Sequence, residues 1–125
     1  MNARKLKLLL VDDQLTQLQY EQMLLGKEFF DFVVARNGRD AVDMALAQRP
    51  DLILLDISMP EMDGLEATRR IRAQEETSQI PIIMVTTRGE ERYMEDAFDL
   101  GCNEYVTKPV KKDELLAKIR SLTAS

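Results

Sequence analysis

Short apolar runs alternate with helix-patterned segments along the whole chain, and this alternation constrains the fold more than any other feature. The runs are Leu8 to Val11, Phe32 to Ala35, Leu52 to Leu55, Ile82 to Val85 and Tyr105 to Val106. The first, third and fourth are nearly continuous aliphatic stretches without polar alternation. Strands covered on both faces read this way, as in a parallel sheet sandwiched by helices. Between the runs, apolar residues return at helical spacing. Ala41, Val42, Ala45 and Leu46 share a face within Arg39 to Gln48. Leu65, Thr68 and Ile71 do so after Asp63. Tyr93, Met94, Ala97 and Phe98 do so within Glu90 to Leu100. Leu115, Leu116, Ile119 and Leu122 do so near the C-terminus. Gln14 to Leu25 is also expected to be helical, with a stripe of Leu15, Leu18 and Leu25 widened by Tyr20, Met23 and Leu24.

Boundary residues agree with this division. Asp63 and Glu66 have the spacing of a capping box, and Asp113 can cap the last helix. Asn37-Gly38 suits a turn after the second strand, and Pro50 stops the second helix. Strict β-α alternation predicts an α/β sandwich with right-handed crossovers. A chain of 125 residues is one domain, 1–125, and its 45% hydrophobic residues suffice for a core without staples.

Charge and composition then exclude functions. Lys plus Arg number 17 against 22 Asp plus Glu, a net charge of −5. Such a chain lacks the basic footprint of a nucleic-acid binder and is repelled by anionic lipid. No apolar run approaches membrane-spanning length. Met1 to Lys7 lacks a signal-peptide core, so a cytoplasmic setting is expected. Cys102 is the one cysteine and there is no histidine, which removes disulfide frameworks, catalytic triads and His- or Cys-based zinc sites.

In parallel α/β sheets the site lies beyond the carboxyl ends of the strands. There the sequence places Asp12-Asp13, Asp56, Thr86-Thr87 and Thr107-Lys108-Pro109. Each has a bland explanation alone: a helix cap for Asp12 or Asp13, a loop hydrogen bond for Asp56, strand propensity for Thr86, a solvated amine for Lys108. Gathered on one rim, however, three carboxylates repel unless a cation or a proton relieves them. Mg²⁺, for which Mn²⁺ can substitute, favours a few carboxylates together with water and phosphate oxygens. Lys108 adds a positive charge for an anion, Thr86 a hydroxyl, and the backbone near Thr87 further N–H donors. A carboxylate can act as nucleophile toward phosphorus. Asp56, alone at the end of a central strand, suits that role, while the adjacent Asp12 and Asp13 suit metal ligation.

With these residues assembled, the sequence resembles the receiver domain of two-component response regulators, in the chemotaxis-type (CheY-like) single-domain form. The resemblance runs from Lys7 to Leu122. It rests on Leu9-Leu10-Val11-Asp12-Asp13, on Asp51 to Gly64 around Asp56, on Ile82 to Thr87, on Gly101 to Tyr105, and on Lys108-Pro109. It implies a flavodoxin-like five-stranded parallel sheet in the order 2-1-3-4-5, with five helices over its two faces, an order the general rules for doubly wound sheets already associate with this family. It implies that Asp56 is the phosphoacceptor and that Asp12, Asp13 and Asp56 bind Mg²⁺ with the Ser58 backbone carbonyl. Thr86 and Tyr105 correspond to the switch pair, Thr87 and Lys108 to phosphoryl contacts, and Lys108-Pro109 to a cis bond. The implied partners are a sensor histidine kinase or phosphotransfer protein, and a downstream protein or an output domain beyond Ser125. The domain is then a self-hydrolysing signalling intermediate rather than an enzyme acting on another substrate.

Departures from the family pattern are local. Thr87 is larger than the Ala or Gly common there. Ser58 and Arg88 stand at positions that resemble a lifetime-tuning pair, with Arg88 either shielding the phosphoryl group or simply solvated. Val110 replaces a frequent Phe, and Cys102 a common Ala, as a small buried residue. Two rival classes, a non-phosphorylated module and an enzyme on a similar sheet, fit these residues less well. A receiver-like interaction module without phosphorylation calls for a degraded acidic site, and this one is complete. A haloacid-dehalogenase-type phosphatase needs an Asp two residues after the nucleophile, where Asp12 has Gln14 and Asp56 has Ser58. A flavodoxin needs a hydroxyl- and Gly-rich loop in place of Asp12-Asp13-Gln14-Leu15.

Overall fold

The computed structural model describes residues 5–124; Met1 to Arg4, Ser125 and any output segment beyond it lie outside the described residues. Among the described residues, five strands alternate with five helices: β1 (Leu6–Val11), α1 (Leu15–Leu25), β2 (Phe30–Ala35), α2 (Gly38–Gln48), β3 (Leu52–Asp56), α3 (Gly64–Ala73), β4 (Ile82–Thr86), α4 (Met94–Leu100), β5 (Glu104–Thr107) and α5 (Lys112–Thr123). The strands form one parallel sheet in the order β2-β1-β3-β4-β5, as the resemblance implied.

Side chains of a strand alternate between faces, and here that period of two splits the core. Leu9, Val11, Ile53, Leu55, Ile82 and Met84 pack with Ala41, Val42 and Ala45 of α2, Ala67 and Ile71 of α3, and Met94 and Ala97 of α4. Leu8, Leu10, Leu52, Leu54, Ile83, Val85 and Val106 pack with Leu18 and Leu25 of α1 and with Leu115 and Ile119 of α5. Both faces of β1, β3 and β4 are therefore covered. That explains why their sequences read as unbroken apolar runs.

Four local expectations need correction. Asn37-Gly38 is a helix start rather than a free turn: Asn37 is the N-cap of α2, its side chain accepting from the Asp40 N–H at 2.8 Å. Asp63 caps α3 by accepting from the Glu66 N–H at 3.0 Å, but the Glu66 carboxylate bonds Arg69 and Arg70, so the box is only half made. Asp113 lies inside the first turn of α5, whose N-cap is Lys111, without a side-chain cap. The segment Glu90 to Leu100 opens as a 3₁₀ turn, Glu91–Tyr93, before α4 proper. Pro50 does end α2: Arg49 takes a left-handed conformation (φ 46°), since a residue before proline is steered away from the helical region.

In α1 the buried stripe is Leu18, Glu21 and Leu25. Leu15 and Met23 are 53% and 73% exposed. Their place on the inner face is taken by a carboxylate that the apolar pattern did not flag.

Candidate functional site

The carboxyl ends of β1, β3 and β5 meet at one acidic cleft. Asp12 follows β1 directly, Asp56 is the last residue of β3, and Lys108 follows β5. Positions 12, 56 and 108 continue the parity of Leu10, Leu54 and Val106, which face α1 and α5. The three side chains converge accordingly. The Lys108 Nζ donates to Asp12 Oδ2 at 3.1 Å and lies 3.6 Å from Asp56 Oδ1. Asp12 is fully buried and Asp56 is 3% exposed. Asp13, half-buried, completes a cluster in which one carboxylate oxygen from each of Asp12, Asp13 and Asp56 lies within 4.8 Å of the others.

Backbone donors fix these carboxylates. Asp12 Oδ1 accepts from the Gln14 N–H at 2.8 Å, a turn ahead of α1 rather than the helix cap expected of it, since the N-cap is Gln14 and has no side-chain cap; the other oxygen serves the cleft. Asp56 Oδ1 accepts from the Ser58 N–H at 3.4 Å. Gly64 brings α3 hard against the same loop. A Cβ there would sit 2.5 Å from the Asp56 carbonyl oxygen and 2.9 Å from the Ile57 Cα, a space that only glycine can occupy.

Electrostatics follow from burial and crowding. Burial, then the Asp12 charge, pushes the Asp56 carboxyl up to about 7, against the pull of Lys108. Burial alone would favour a neutral Lys108, but Asp56 and Asp12 outweigh it and hold the ammonium above its ordinary pKa. Glu21 stands behind the cleft, 1% exposed. Its Oε2 accepts from Gln17 Nε2 at 2.9 Å, while its Oε1 finds no partner among the described residues. Burial pushes it to about 7, and it feels Asp12, Lys108 and Asp56. Sequence reasoning missed Glu21 because a Glu on a helix reads as surface.

The other rim residues take different places. Thr86 is fully buried on the opposite face of the sheet, where its hydroxyl donates to the Val106 carbonyl at 3.4 Å. Tyr105 lies on that same face, partly buried against the α2-α3-α4 core. Its ring meets Phe98 edge-on at 6.3 Å, with the Lys118 ammonium 5.5 Å from its centroid. The Lys108–Pro109 bond is cis, and the Lys108 N–H donates to the Thr86 carbonyl at 2.7 Å, tying the two strand ends together. Arg88 is exposed. Val110 and Cys102 are buried; burial pushes the Cys102 thiol up to about 11, so it stays protonated and inert at neutral pH. The Thr87 N–H donates to Glu90 Oε1 at 2.7 Å. Glu90 too went unnoticed, although Thr87-Arg88-Gly89-Glu90 has the T-x-x-E spacing of a capping box.

Residues 8–120 match the family described as the response regulator receiver domain. The chain belongs to that family. It is 37% identical over 118 residues to the protein PilH of Pseudomonas aeruginosa, covering 94% of this chain and 98% of that protein. Among solved structures, chemotaxis protein CheY4 of Vibrio cholerae superposes with a TM-score of 0.87 at 28% identity, covering 95% of this chain and 99% of that one. The receiver domain of the Pseudomonas aeruginosa sensor histidine kinase PA1611 superposes with a TM-score of 0.88 at 33% identity, covering 98% of this chain and all of the other. That receiver holds a magnesium ion coordinated in its active-site cleft. The present chain is thus a CheY-like receiver of two-component signalling.

Proposed function

We propose that this receiver accepts a phosphoryl group on Asp56 from the phosphohistidine of a sensor histidine kinase or a phosphotransfer protein. One observation carries the proposal: three carboxylate oxygens lie within 4.8 Å of one another beside a lysine ammonium 3.1 Å from Asp12 and 3.6 Å from Asp56. Asp56 supplies the nucleophilic oxygen. Its bond to phosphorus forms as the phosphorus–nitrogen bond breaks, and the donor imidazole leaves with the electron pair and is protonated. Lys108 pairs with the phosphoryl oxygens as charge shifts onto them.

The hard oxygen donors of Asp12, Asp13 and Asp56, with the Ser58 carbonyl, suit Mg²⁺, with Mn²⁺ as a substitute. Crowding supports the fit, since Asp56 is hard to ionise beside Asp12 without added positive charge. When bound, the metal supplies Lewis-acid stabilisation of the phosphoryl oxygens.

The new dianion draws the Thr86 hydroxyl away from Val106, and Tyr105, on the same face, follows into the space vacated. The face carrying Arg92, Tyr93, Asp96, Tyr105, Lys111 and Lys112 then changes shape for a downstream protein or for an output domain beyond Ser125. Both states pre-exist, and phosphorylation shifts their populations. The mixed charges of this face, on a chain of net charge −5, favour a protein partner over nucleic acid. Among the described residues no helix is long and apolar enough to cross a membrane. We place this 1–125 receiver domain in the cytoplasm.

Incubation with Mg²⁺ and acetyl phosphate is expected to add one phosphoryl group by mass, and Asp56→Asn to abolish the addition. Uptake that persists in Asp56→Asn overturns the assignment.

A further inference from the structure

The β4–α4 loop is closed by its own carboxylates. The Thr87 N–H donates to Glu90 Oε1 at 2.7 Å, and the Glu90 N–H returns a bond to the Thr87 carbonyl at 3.0 Å. The Gly89 N–H is turned toward Glu91 Oε1 at 3.3 Å. The two Thr87–Glu90 bonds close a turn that leads through the 3₁₀ turn Glu91–Tyr93 into α4. A charge-assisted bond of this length is among the stronger contacts a loop can make.

The same amide stands at the site. Asp56 pairs with Val85 in register, so Thr86 and Thr87 are the next residues out along the neighbouring strand. Glu90, half-buried, walls a cleft of about 230 Å³ together with Ile57, Ser58 and Tyr93, directly beside the Asp56 loop. Its negative charge is felt at Asp56. The Val85 carbonyl accepts from the Ile57 N–H on the β3 side and the Thr86 carbonyl from the Lys108 N–H on the β5 side. By alternation the Thr87 N–H returns to the side of Asp56, between the carboxylate that holds it now and any phosphoryl oxygen that arrives on Asp56. Both cannot take it, and their like charges oppose each other.

We propose that Glu90 is an internal competitor of the phosphoryl group, holding the Thr87 amide until an anion on Asp56 displaces it. Release of Glu90 opens the Thr87–Glu90 turn, which leads through the 3₁₀ turn Glu91–Tyr93 into α4. Opening of that turn gives phosphorylation a handle on the segment that enters α4, separate from the Thr86 and Tyr105 route. Glu90 is a positioning residue in this scheme, since it acts through the Thr87 backbone. The proposal rests on Asp56 as phosphoacceptor.

The test uses beryllofluoride, an anionic mimic of the phosphoryl group that coordinates a carboxylate oxygen, titrated with saturating Mg²⁺ into the full chain. Occupancy is followed by the amide resonances of Thr87 and Met94. Relief of one charge-assisted hydrogen bond is expected to tighten beryllofluoride binding about threefold to tenfold in Glu90→Ala, with Glu90→Gln between it and the wild type. Glu95→Ala removes an equal charge from an exposed position on α4 and is expected to change affinity by less than about twofold, as a screened surface charge does. Wild-type binding with no gain in Glu90→Ala, or an equal gain in Glu95→Ala, overturns the competitor role and leaves Asp56 as acceptor. Wild-type protein whose response to beryllofluoride matches that of Asp56→Asn overturns both.

Discussion

Glu21 and Asp56 share an unusual condition: both are carboxyls buried so deeply that each is pushed up to about 7. A raised pKa means that the folded protein holds protons which the unfolded chain releases near its ordinary carboxylate range. Their contribution to stability is therefore complete below about pH 4, and it is lost as the pH rises through 7. Glu21 gives the cleaner experiment because its Oε1 has no partner among the described residues. Glu21→Gln is expected to match the wild type in urea denaturation near pH 5. Near pH 8 it should be more stable by about 1–3 kcal/mol, since an amide carries no ionisation penalty. Equal stability at both pH values would show that the Glu21 oxygen is solvated in solution. The cleft thus holds more negative potential than it can comfortably ionise, a condition suited to receiving positive charge.

At the scale of elements, the site depends on close approach between β3 and the start of α3. Gly64 donates its N–H to the Ile57 carbonyl at 2.9 Å, and a Cβ would meet the Asp56 carbonyl at 2.5 Å. Gly64→Ala must displace either the helix or the Asp56 loop. A loss of about 1–3 kcal/mol in thermal or chemical unfolding is expected, as for other overpacked sites. Acetyl phosphate uptake should fall with it, because the loop carrying Ser58 moves. Asp63→Ala offers a contrast on the same helix. It removes one cap bond, should cost about 1 kcal/mol, and should leave phosphoryl uptake near the wild-type rate. A similar loss of uptake in both variants would mean that helix stability, rather than contact at Gly64, governs the loop.

For the whole molecule, the sheet joins two half-cores whose roles differ. Asp12, Asp56, Lys108 and Glu21 belong to the α1-α5 side, whereas Thr86 and Tyr105 belong to the side of α2, α3 and α4. Lys108 and Thr86 are nonetheless bonded through backbone at 2.7 Å, which ties the strand end carrying the ammonium to the strand end carrying the hydroxyl. A cation that binds only the folded acidic cluster adds stability by mass action, about 2.7 kcal/mol at a hundredfold excess over Kd. Millimolar Mg²⁺ is expected to raise the unfolding temperature, chelator to reverse the gain, and Asp13→Asn to reduce it. An unchanged unfolding temperature with Mg²⁺ would contradict a metal site at this cleft.

Much of this protein was written in the spacing of its residues. Unbroken runs such as Leu52 to Leu55, too short for helices of their own, read as strands buried on both sides, because a half-exposed strand would alternate. Three such runs and two shorter apolar ones, separated by helices, leave a parallel sheet with its polar rim at the strand ends, and that rim led to Asp12, Asp13, Asp56, Thr86 and Lys108. What sequence could not supply was direction and competition. Whether Asp113 or Lys111 begins α5 depends on a single turn of backbone. Whether Glu21 faces water or core depends on how α1 rolls against the sheet. Which anion holds the Thr87 amide depends on the fold of one loop. Hydrophobic period is a local property of the chain and survives in one dimension. The partner of a hydrogen bond, and the burial that sets a carboxylate's charge, belong to three dimensions, and only the packed structure decided them.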